Sequence, residues 1–91
     1  MKFGIFILQP QRDGTKPVGE AAAEGIQQVR MAEELGFDIA WFAEHHFSNY
    51  SLVTSPLTAT VWAAPQTKKI RLGTAVIVAP LYEPMRLLED I

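Results

Sequence analysis

The sequence contains no cysteine among its 91 residues. A chain without thiols has no disulfide, no thiolate nucleophile and no cysteine-ligated zinc or iron–sulfur site. Positive charge is not in excess either, because 8 basic side chains stand against 10 acidic ones and the formal net charge is -2. A protein that binds a phosphate backbone normally carries a basic face, so the composition argues against nucleic acid as a partner.

Long hydrophobic runs are also absent. An apolar stretch such as Phe3 to Leu8 is far below the ~18 residues needed to cross a bilayer, and the run after Met1 and Lys2 is too short for a signal peptide. We therefore expect a cytoplasmic protein without membrane contact. Hydrophobic residues make up 48% of the chain and charged residues 20%, which is the composition of a packed globular protein.

Strand and helix patterns alternate along the chain. Residues 2–8 form a near-continuous apolar run, typical of a strand covered on both faces. From about Val18 to Leu35 apolar or small residues recur at steps of three and four, which predicts an amphipathic helix, and Gly36 follows as a left-handed cap. A second buried strand is predicted over 39–43. Such a unit predicts a parallel, right-handed crossover, because twisted strands accept the returning helix on one side only.

The same order repeats after a polar and aromatic loop. Ser55 is a good N-cap and Pro56 a good first residue for a second helix over 57–64. Pro65 is expected to end or kink that helix, because it lacks an amide proton. A third strand is predicted over 70–78.

The segments that flank the third strand complete the pattern. Lys68 and Lys69 predict a solvated turn before it, and Pro84 opens a third helix that the chain barely begins. Parallel strands with apolar faces need cover on both sides and partners at both edges. We therefore predict an α/β fold in which residues 1–91 are a partial barrel domain, about three parallel strands at the N-terminal part of a (β/α)8 TIM-type barrel, which takes roughly 250 residues in all.

Chemistry in parallel α/β proteins gathers where strands end. Directly after the second strand the chain has a carboxylate, two imidazoles and a phenyl ring, contributed by Glu44, His45, His46 and Phe47. They are a candidate acid/base cluster beside an aromatic wall. The alternative is that Glu44 and the histidines cap the strand and bond to loop backbone.

The two histidines are not predicted to share a metal ion. Adjacent residues on an extended chain point to opposite faces, so His45 and His46 are poorly placed to bind one ion. We expect one histidine to face the mouth of the barrel while its neighbour packs and forms hydrogen bonds behind it. The serines lack the glycine-flanked elbow of hydrolases, and the glycines lack dinucleotide or phosphate-loop spacing.

Five segments carry a family resemblance: residues 1–6 (MKFGIF), 32–38 (AEELGFD), 44–47 (EHHF), 67–76 (TKKIRLGTAV) and 84–90 (PMRLLED). In this order and at this spacing they resemble the N-terminal part of the bacterial luciferase-like flavin-dependent monooxygenases. The resemblance spans essentially the whole chain. It implies an enzyme that takes reduced FMN from a separate flavin reductase and uses O2 to oxygenate a small organic substrate.

The resemblance also assigns residues to roles. His45 matches the catalytic histidine, which exchanges protons at the flavin, and an imidazole that titrates near neutrality suits that task. Glu44 matches a carboxylate that supports the cofactor site from the second strand. Ala75 and Val76 match a pair that relatives join by a non-prolyl cis peptide against the flavin ring.

Aromatic side chains are assigned less uniquely. Phe6 and Phe47 match positions that line the family's substrate pocket, although Phe6 is equally consistent with ordinary core packing. Tyr50 and Tyr82 lie in loops at the pocket end, where substrate contact and packing are both open. The resemblance further implies a homo-oligomer whose subunits meet through the second and third helices, a region where Pro65 replaces the alanine usual in relatives.

Two alternatives remain open from the sequence. A deazaflavin-dependent reductase shares this architecture and transfers hydride without O2. The second alternative is that the chain is a non-catalytic, self-associating barrel fragment or subunit. We expect the isolated 91 residues not to turn over, because contacts to FMN are distributed around the whole mouth of a barrel.

Overall fold

Three parallel strands form one sheet in the computed structural model, which describes residues 1–11 and 14–91. The sheet order is β1-β2-β3, with both pairs parallel. The elements follow in the order β1 (Gly4–Ile7), α1 (Val18–Glu34), β2 (Ile39–Phe42), α2 (Pro56–Ala63), a 3₁₀ turn (Ala64–Gln66), β3 (Arg71–Thr74), a second 3₁₀ turn (Ala79–Leu81) and α3 (Pro84–Asp90). The predicted α/β fold with three parallel strands and intervening helices is confirmed.

Helix α1 packs its small and apolar stripe against the sheet. The buried residues are Ala21, Gly25, Ile26, Val29 and Ala32. The ends of the predicted stripe were wrong, because Val18 and Leu35 are 58% and 70% exposed. The helix ends in a Schellman motif: the Phe37 amide donates to the Ala32 carbonyl at 2.9 Å and the Gly36 amide to the Glu33 carbonyl at 3.1 Å. Gly36 adopts φ 82°, the left-handed conformation that its position predicted.

The hydrophobic core lies on one face of the sheet. Side chains alternate between faces along a strand, and Ile7, Ala40 and Phe42 are fully buried on the side that the helices cover. On the opposite face Phe6 is 53% exposed and Trp41 is 37% exposed. This second face is therefore open within the part of the chain that the structure describes.

Trp41 covers the centre of that open face. A Cβ atom at Gly73 of β3 would fall 2.6 Å from Cζ3 of the indole, and one at Gly4 of β1 would fall 3.1 Å from its Nε1. The indole thus lies across the sheet from one neighbouring strand to the other. Only residues without a side chain leave room for it there.

The predicted third strand is too long. It was expected over 70–78, but the ladder ends where Phe42 of β2 pairs with Thr74. One more bond follows, from the Ala75 amide to the Phe42 carbonyl at 2.8 Å, and the chain then turns away through Val76 into the 3₁₀ turn. The apolar residues that follow Thr74 imitate a strand in sequence, but a strand needs a neighbour to pair with.

The other boundaries shift by a few residues. The first two strands are shorter than 2–8 and 39–43, and α2 begins and ends one residue earlier than 57–64. Ser55 caps α2 as predicted, with its hydroxyl accepting from the Thr58 amide at 3.3 Å. Pro65 ends α2 as predicted, because the chain continues from Ala63 into a 3₁₀ turn that contains this proline. No helix in residues 1–11 and 14–91 is long and apolar enough to span a membrane.

The lysine turn before β3 has a partner that its composition did not indicate. Lys68 and Lys69 are exposed, as predicted. Their amides and that of Ile70 all donate to Oε1 of Glu33, at 2.8, 2.5 and 2.9 Å. These bonds, led by that of the Lys69 amide, hold the pKa of Glu33 below its ordinary value. They join the end of α1 to the start of β3.

Candidate functional site

Glu44 lies at the centre of the candidate site, two residues beyond the end of β2. Its side chain is 0% exposed. One carboxylate oxygen, Oε1, is 2.7 Å from Nε2 of His46. The other, Oε2, accepts from the Val78 amide at 2.8 Å and from the Tyr82 hydroxyl at 3.1 Å. The carboxylate therefore joins the end of β2 to the loop that follows β3.

The surroundings of Glu44 favour its charged form. Burial raises the pKa of a carboxyl group, but the hydrogen bonds from the Val78 amide, His46 and Tyr82 together outweigh it and lower the pKa of Glu44 below its ordinary value. Burial and the adjacent Glu44 raise the pKa of the Tyr82 phenol. At neutral pH Glu44 is thus ionised and accepts, while Tyr82 is protonated and donates.

The two histidines occupy different environments. His46 is held by Glu44. His45 donates its backbone amide to the Val53 carbonyl at 2.8 Å, and its ring meets the ring of Tyr50 edge-on, with the centroids 5.2 Å apart. One histidine of the pair thus forms a hydrogen bond to Glu44 and the other packs against an aromatic ring; which of them faces the mouth of the barrel stays a prediction. In the described ranges no group of three histidine, cysteine or acidic residues is placed to hold a metal ion.

The residues that follow β3 reach the same edge of the sheet. The peptide bond between Ala75 and Val76 is cis, as the family resemblance implied. The Ala75 amide donates to the Phe42 carbonyl at 2.8 Å, which places this peptide beside the end of β2. Val76 is 65% exposed. An exposed apolar side chain thus lies two residues before the amide that donates to Glu44.

The two phenylalanines are not enclosed in a pocket. Phe6 lies in β1, paired in register with Trp41, on the open face of the sheet. Phe47 is fully exposed and has φ 52°, which is uncommon for an aromatic residue. Its ring centroid is 6.5 Å from that of His46. The structure therefore groups Glu44 and His46 with the segment after β3, and it leaves Phe6 and Phe47 open to solvent.

Sequence reasoning missed two members of the site. Val78 contributes only its backbone amide, for which no side-chain signal exists. Tyr82 had a weak signal, because a phenol in the loop after β3 lies at the same sheet edge as Glu44. Nothing in the sequence paired it with a carboxylate 38 positions away.

The sequence model of the luciferase-like monooxygenase family matches residues 1–91. A parallel α/β chain with this pattern and a buried acid/base cluster at the strand ends agrees with that match. The chain belongs to the luciferase-like monooxygenase family.

Relatives and solved structures support the assignment. The chain is 40% identical over 94 residues to the alkanal monooxygenase alpha chain of Photorhabdus laumondii, covering 100% of this chain and 25% of that one. It is 29% identical over 87 residues to the oxygenase component of the flavin-dependent trigonelline monooxygenase of Acinetobacter baylyi, covering 96% and 24%.

In three dimensions the chain resembles the oxygenating constituent of 3,6-diketocamphane monooxygenase from Pseudomonas putida, solved in complex with FMN. The TM-score is 0.88 at 23% identity, covering 100% of this chain and 25% of that one. The likeness at this identity concerns the fold, which is that of part of a (β/α)8 barrel. The chain spans about a quarter of the length of the curated relatives it matches.

Proposed function

We propose that the protein is a flavin-dependent monooxygenase that uses reduced FMN and O2 to oxygenate a small organic substrate, with residues 1–91 forming part of its barrel domain. Membership of the luciferase-like monooxygenase family supports this function. The observation that carries it is the buried Glu44 carboxylate, hydrogen-bonded to His46 and to the loop after β3. A buried, ionised carboxylate that is followed in the chain by two imidazoles, one of them bonded to it, supports proton transfer at a cofactor.

The residues present fit a flavin. A planar ring needs an apolar platform at the strand ends. Val76 is an exposed apolar side chain at the strand ends, and Phe6 is one on the open face of the sheet. The indole of Trp41 makes the centre of that face flat, because Gly73 beneath it has no side chain. When bound, the reduced flavin would supply the electrons that activate O2.

The chain's own residues then have distinct tasks. His45, which the Glu44 carboxylate does not hold, is proposed to take up and release protons at the bound cofactor. Glu44 keeps the segment around Ala75 and Val76 against the cofactor through its bond to the Val78 amide. Phe6 and Phe47 offer apolar surface to the organic substrate.

Two partners are part of the proposal. A separate flavin reductase would supply the reduced FMN, since the Acinetobacter relative is named as the oxygenase component of its system. A homo-oligomer is proposed from the outer side of α2, where Val61 and Trp62 are exposed apolar residues.

The function is tested on the full-length protein by coupling it to a flavin reductase and following O2 consumption and FMN fluorescence. We expect FMN-dependent O2 uptake, and we expect His45→Gln to lower the turnover number about 10²- to 10⁴-fold, as the loss of a general acid–base does. FMN affinity should change little. Arg30→Gln, an exposed change on α1, is the matched control and should keep full activity.

Three results would contradict the proposal. The first is a wild-type protein that binds no FMN. The second is His45→Gln turning over at the wild-type rate. The third is hydride transfer from a reduced deazaflavin without O2 consumption, which would establish the reductase alternative.

A further inference from the structure

The two carboxylate oxygens of Glu44 have different hydrogen-bond partners. Oε2 receives two donors, the Val78 amide at 2.8 Å and the Tyr82 hydroxyl at 3.1 Å. Oε1 is bonded to Nε2 of His46 at 2.7 Å. With Oε2 fixed by two donors, the carboxylate has no freedom to rotate without losing both. The position of Oε1, and with it the partner of His46, therefore depends on the loop after β3.

The two donors come from a single small structure. The 3₁₀ turn brings Val78 and Tyr82 to the same side, with the Leu81 amide donating to the Val78 carbonyl at 2.9 Å and the Tyr82 amide to the Ala79 carbonyl at 3.1 Å. Tyr82 is half-buried, and its phenol donates to Glu44. Its hydroxyl is the only side-chain donor that this loop offers to Oε2 among the described residues.

An ionised carboxylate can only accept hydrogen bonds. The neutral imidazole of His46 must then carry its proton on Nε2, where it donates to Glu44, and Nδ1 must carry the lone pair. We propose that Tyr82 is a positioning residue which, together with the Val78 amide, fixes the Glu44 carboxylate so that it holds His46 as the Nε2–H tautomer with Nδ1 as the free acceptor.

The tautomer of His46 decides whether its ring offers a ligand a hydrogen-bond acceptor or a donor. The side chain of His46 is 30% exposed, so a ligand that reaches the ring at Nδ1 would meet a hydrogen-bond acceptor there. A different tautomer would present a donor there instead. The benefit to turnover rests on the proposed function, whereas the tautomer itself is a property of the protein without any cofactor.

The experiment is long-range ¹H–¹⁵N NMR of the histidine rings in full-length, cofactor-free protein, at a pH where histidine is uncharged. We expect His46 to be almost entirely the Nε2–H tautomer in the wild type. Tyr82→Phe removes the hydroxyl and keeps the ring, and we expect the ratio of Nε2–H to Nδ1–H to fall about fivefold, as befits the loss of one hydrogen bond.

Tyr50→Phe is the matched control. It removes a phenol hydroxyl from the same region, but the Tyr50 ring contacts His45 and not Glu44. The tautomer ratio of His46 should not change in this variant. A fall of the same size in Tyr50→Phe would overturn the assignment to Tyr82, and so would an unchanged ratio in Tyr82→Phe.

The tautomer of His46 in the wild-type protein tests the proposal even where a variant does not fold. A predominant Nδ1–H tautomer of His46 in the wild-type protein would overturn the proposal by itself. In the coupled assay Tyr82→Phe should lower kcat while the KM for the organic substrate stays within about twofold, since the change affects a group that directs another. Wild-type protein with the expected tautomer but no oxygenase activity would instead refute the proposed function alone.

Discussion

Carboxylates from two neighbouring elements hold β3 at both ends. Glu33, in the last turn of α1, accepts from the amides of Lys68, Lys69 and Ile70 just before the strand. Glu44, beyond β2, accepts from the Val78 amide after it. Backbone amides are obligatory donors, and the amides at these two bends receive side-chain acceptors in place of strand partners. Two single residues thus determine where β3 starts and how the chain leaves it.

Glu33→Gln should destabilise the full-length protein in a pH-dependent way. The amides lower the pKa of Glu33 in the folded state. A carboxyl group with a lowered folded pKa adds stability above its unfolded pKa, close to the ordinary value of 4.5, and that stability is lost as the pH falls through the folded pKa. We therefore expect thermal unfolding to show a lower Tm for Glu33→Gln at neutral pH, and a difference that shrinks on acidification.

Glu34→Gln is the control for this measurement, because Glu34 is an exposed carboxylate of the same helical turn. It should change Tm little at any pH. If the effect of Glu33→Gln were the same at neutral and acid pH, the charge of Glu33 would not be the source of its stabilising contacts.

At the scale of elements, α1 approaches β1 through a glycine. A Cβ atom at Gly25 would fall 2.6 Å from Nε2 and 2.9 Å from Cγ of Gln9. Gln9 is buried just beyond the end of β1, and its Nε2 donates to the Ala22 carbonyl at 3.3 Å. A side chain at position 25 would have to displace the Gln9 side chain or move the helix away from it.

Gly25→Ala should therefore destabilise the protein, although alanine is the better helix former. We expect a loss of about 1–3 kcal/mol from overpacking, measured by chemical denaturation. Gly19→Ala, in the same helix, is the matched control, because a Cβ atom there meets nothing within 4 Å. It should be neutral or stabilising by up to about 1 kcal/mol. Stabilisation by both substitutions would show that Gln9 moves aside without cost.

The sequence was sufficient for elements whose signals are local. The middle of the α1 stripe, its left-handed Gly36 and the Ser55 cap of α2 each depend on residues a few positions apart, and all three were predicted. The end of β3 at Thr74 was not, because a strand ends where its neighbour ends, and the register with Phe42 is a long-range property. Apolar composition after Thr74 could not reveal it.

The residues of the candidate site also divide into those with a local sequence signal and those whose partners are distant in the chain. Glu44 and the two histidines were found because they follow a buried strand, and the Ala75–Val76 pair through the family resemblance. Tyr82 was left undecided, since helix α2 and strand β3 both lie between it and its partner Glu44. The roles of His45, Phe6 and Phe47 toward cofactor and substrate remain predictions.

At the scale of the whole molecule, residues 1–11 and 14–91 cover the sheet on one side and leave the other open. Helices α1 and α2 bury one face, while Phe6 and Trp41 stay exposed on the other. The strands β1 and β3 are both edges of the three-stranded sheet. An apolar face with two unpaired edges is a surface that other strands or other molecules cover.

These 91 residues expressed alone should self-associate. Light scattering after size exclusion at micromolar concentration is expected to give a mass well above 10.1 kDa, and Phe6→Lys should reduce it by placing a charge on the open face. Val18→Lys, at an exposed position of α1, is the control and should not. A stable monomer that binds FMN as tightly as the full-length protein would contradict this expectation.

The indole of Trp41 also makes the open face spectroscopically visible. Tryptophan emission shifts to shorter wavelength when water is removed from the ring, and the indole lies across all three strands between Gly4 and Gly73. The chain has one other tryptophan, Trp62, on α2. With Trp62→Phe, the emission of Trp41 in this chain becomes a label-free signal for the moment at which the inner side of the sheet is covered during assembly.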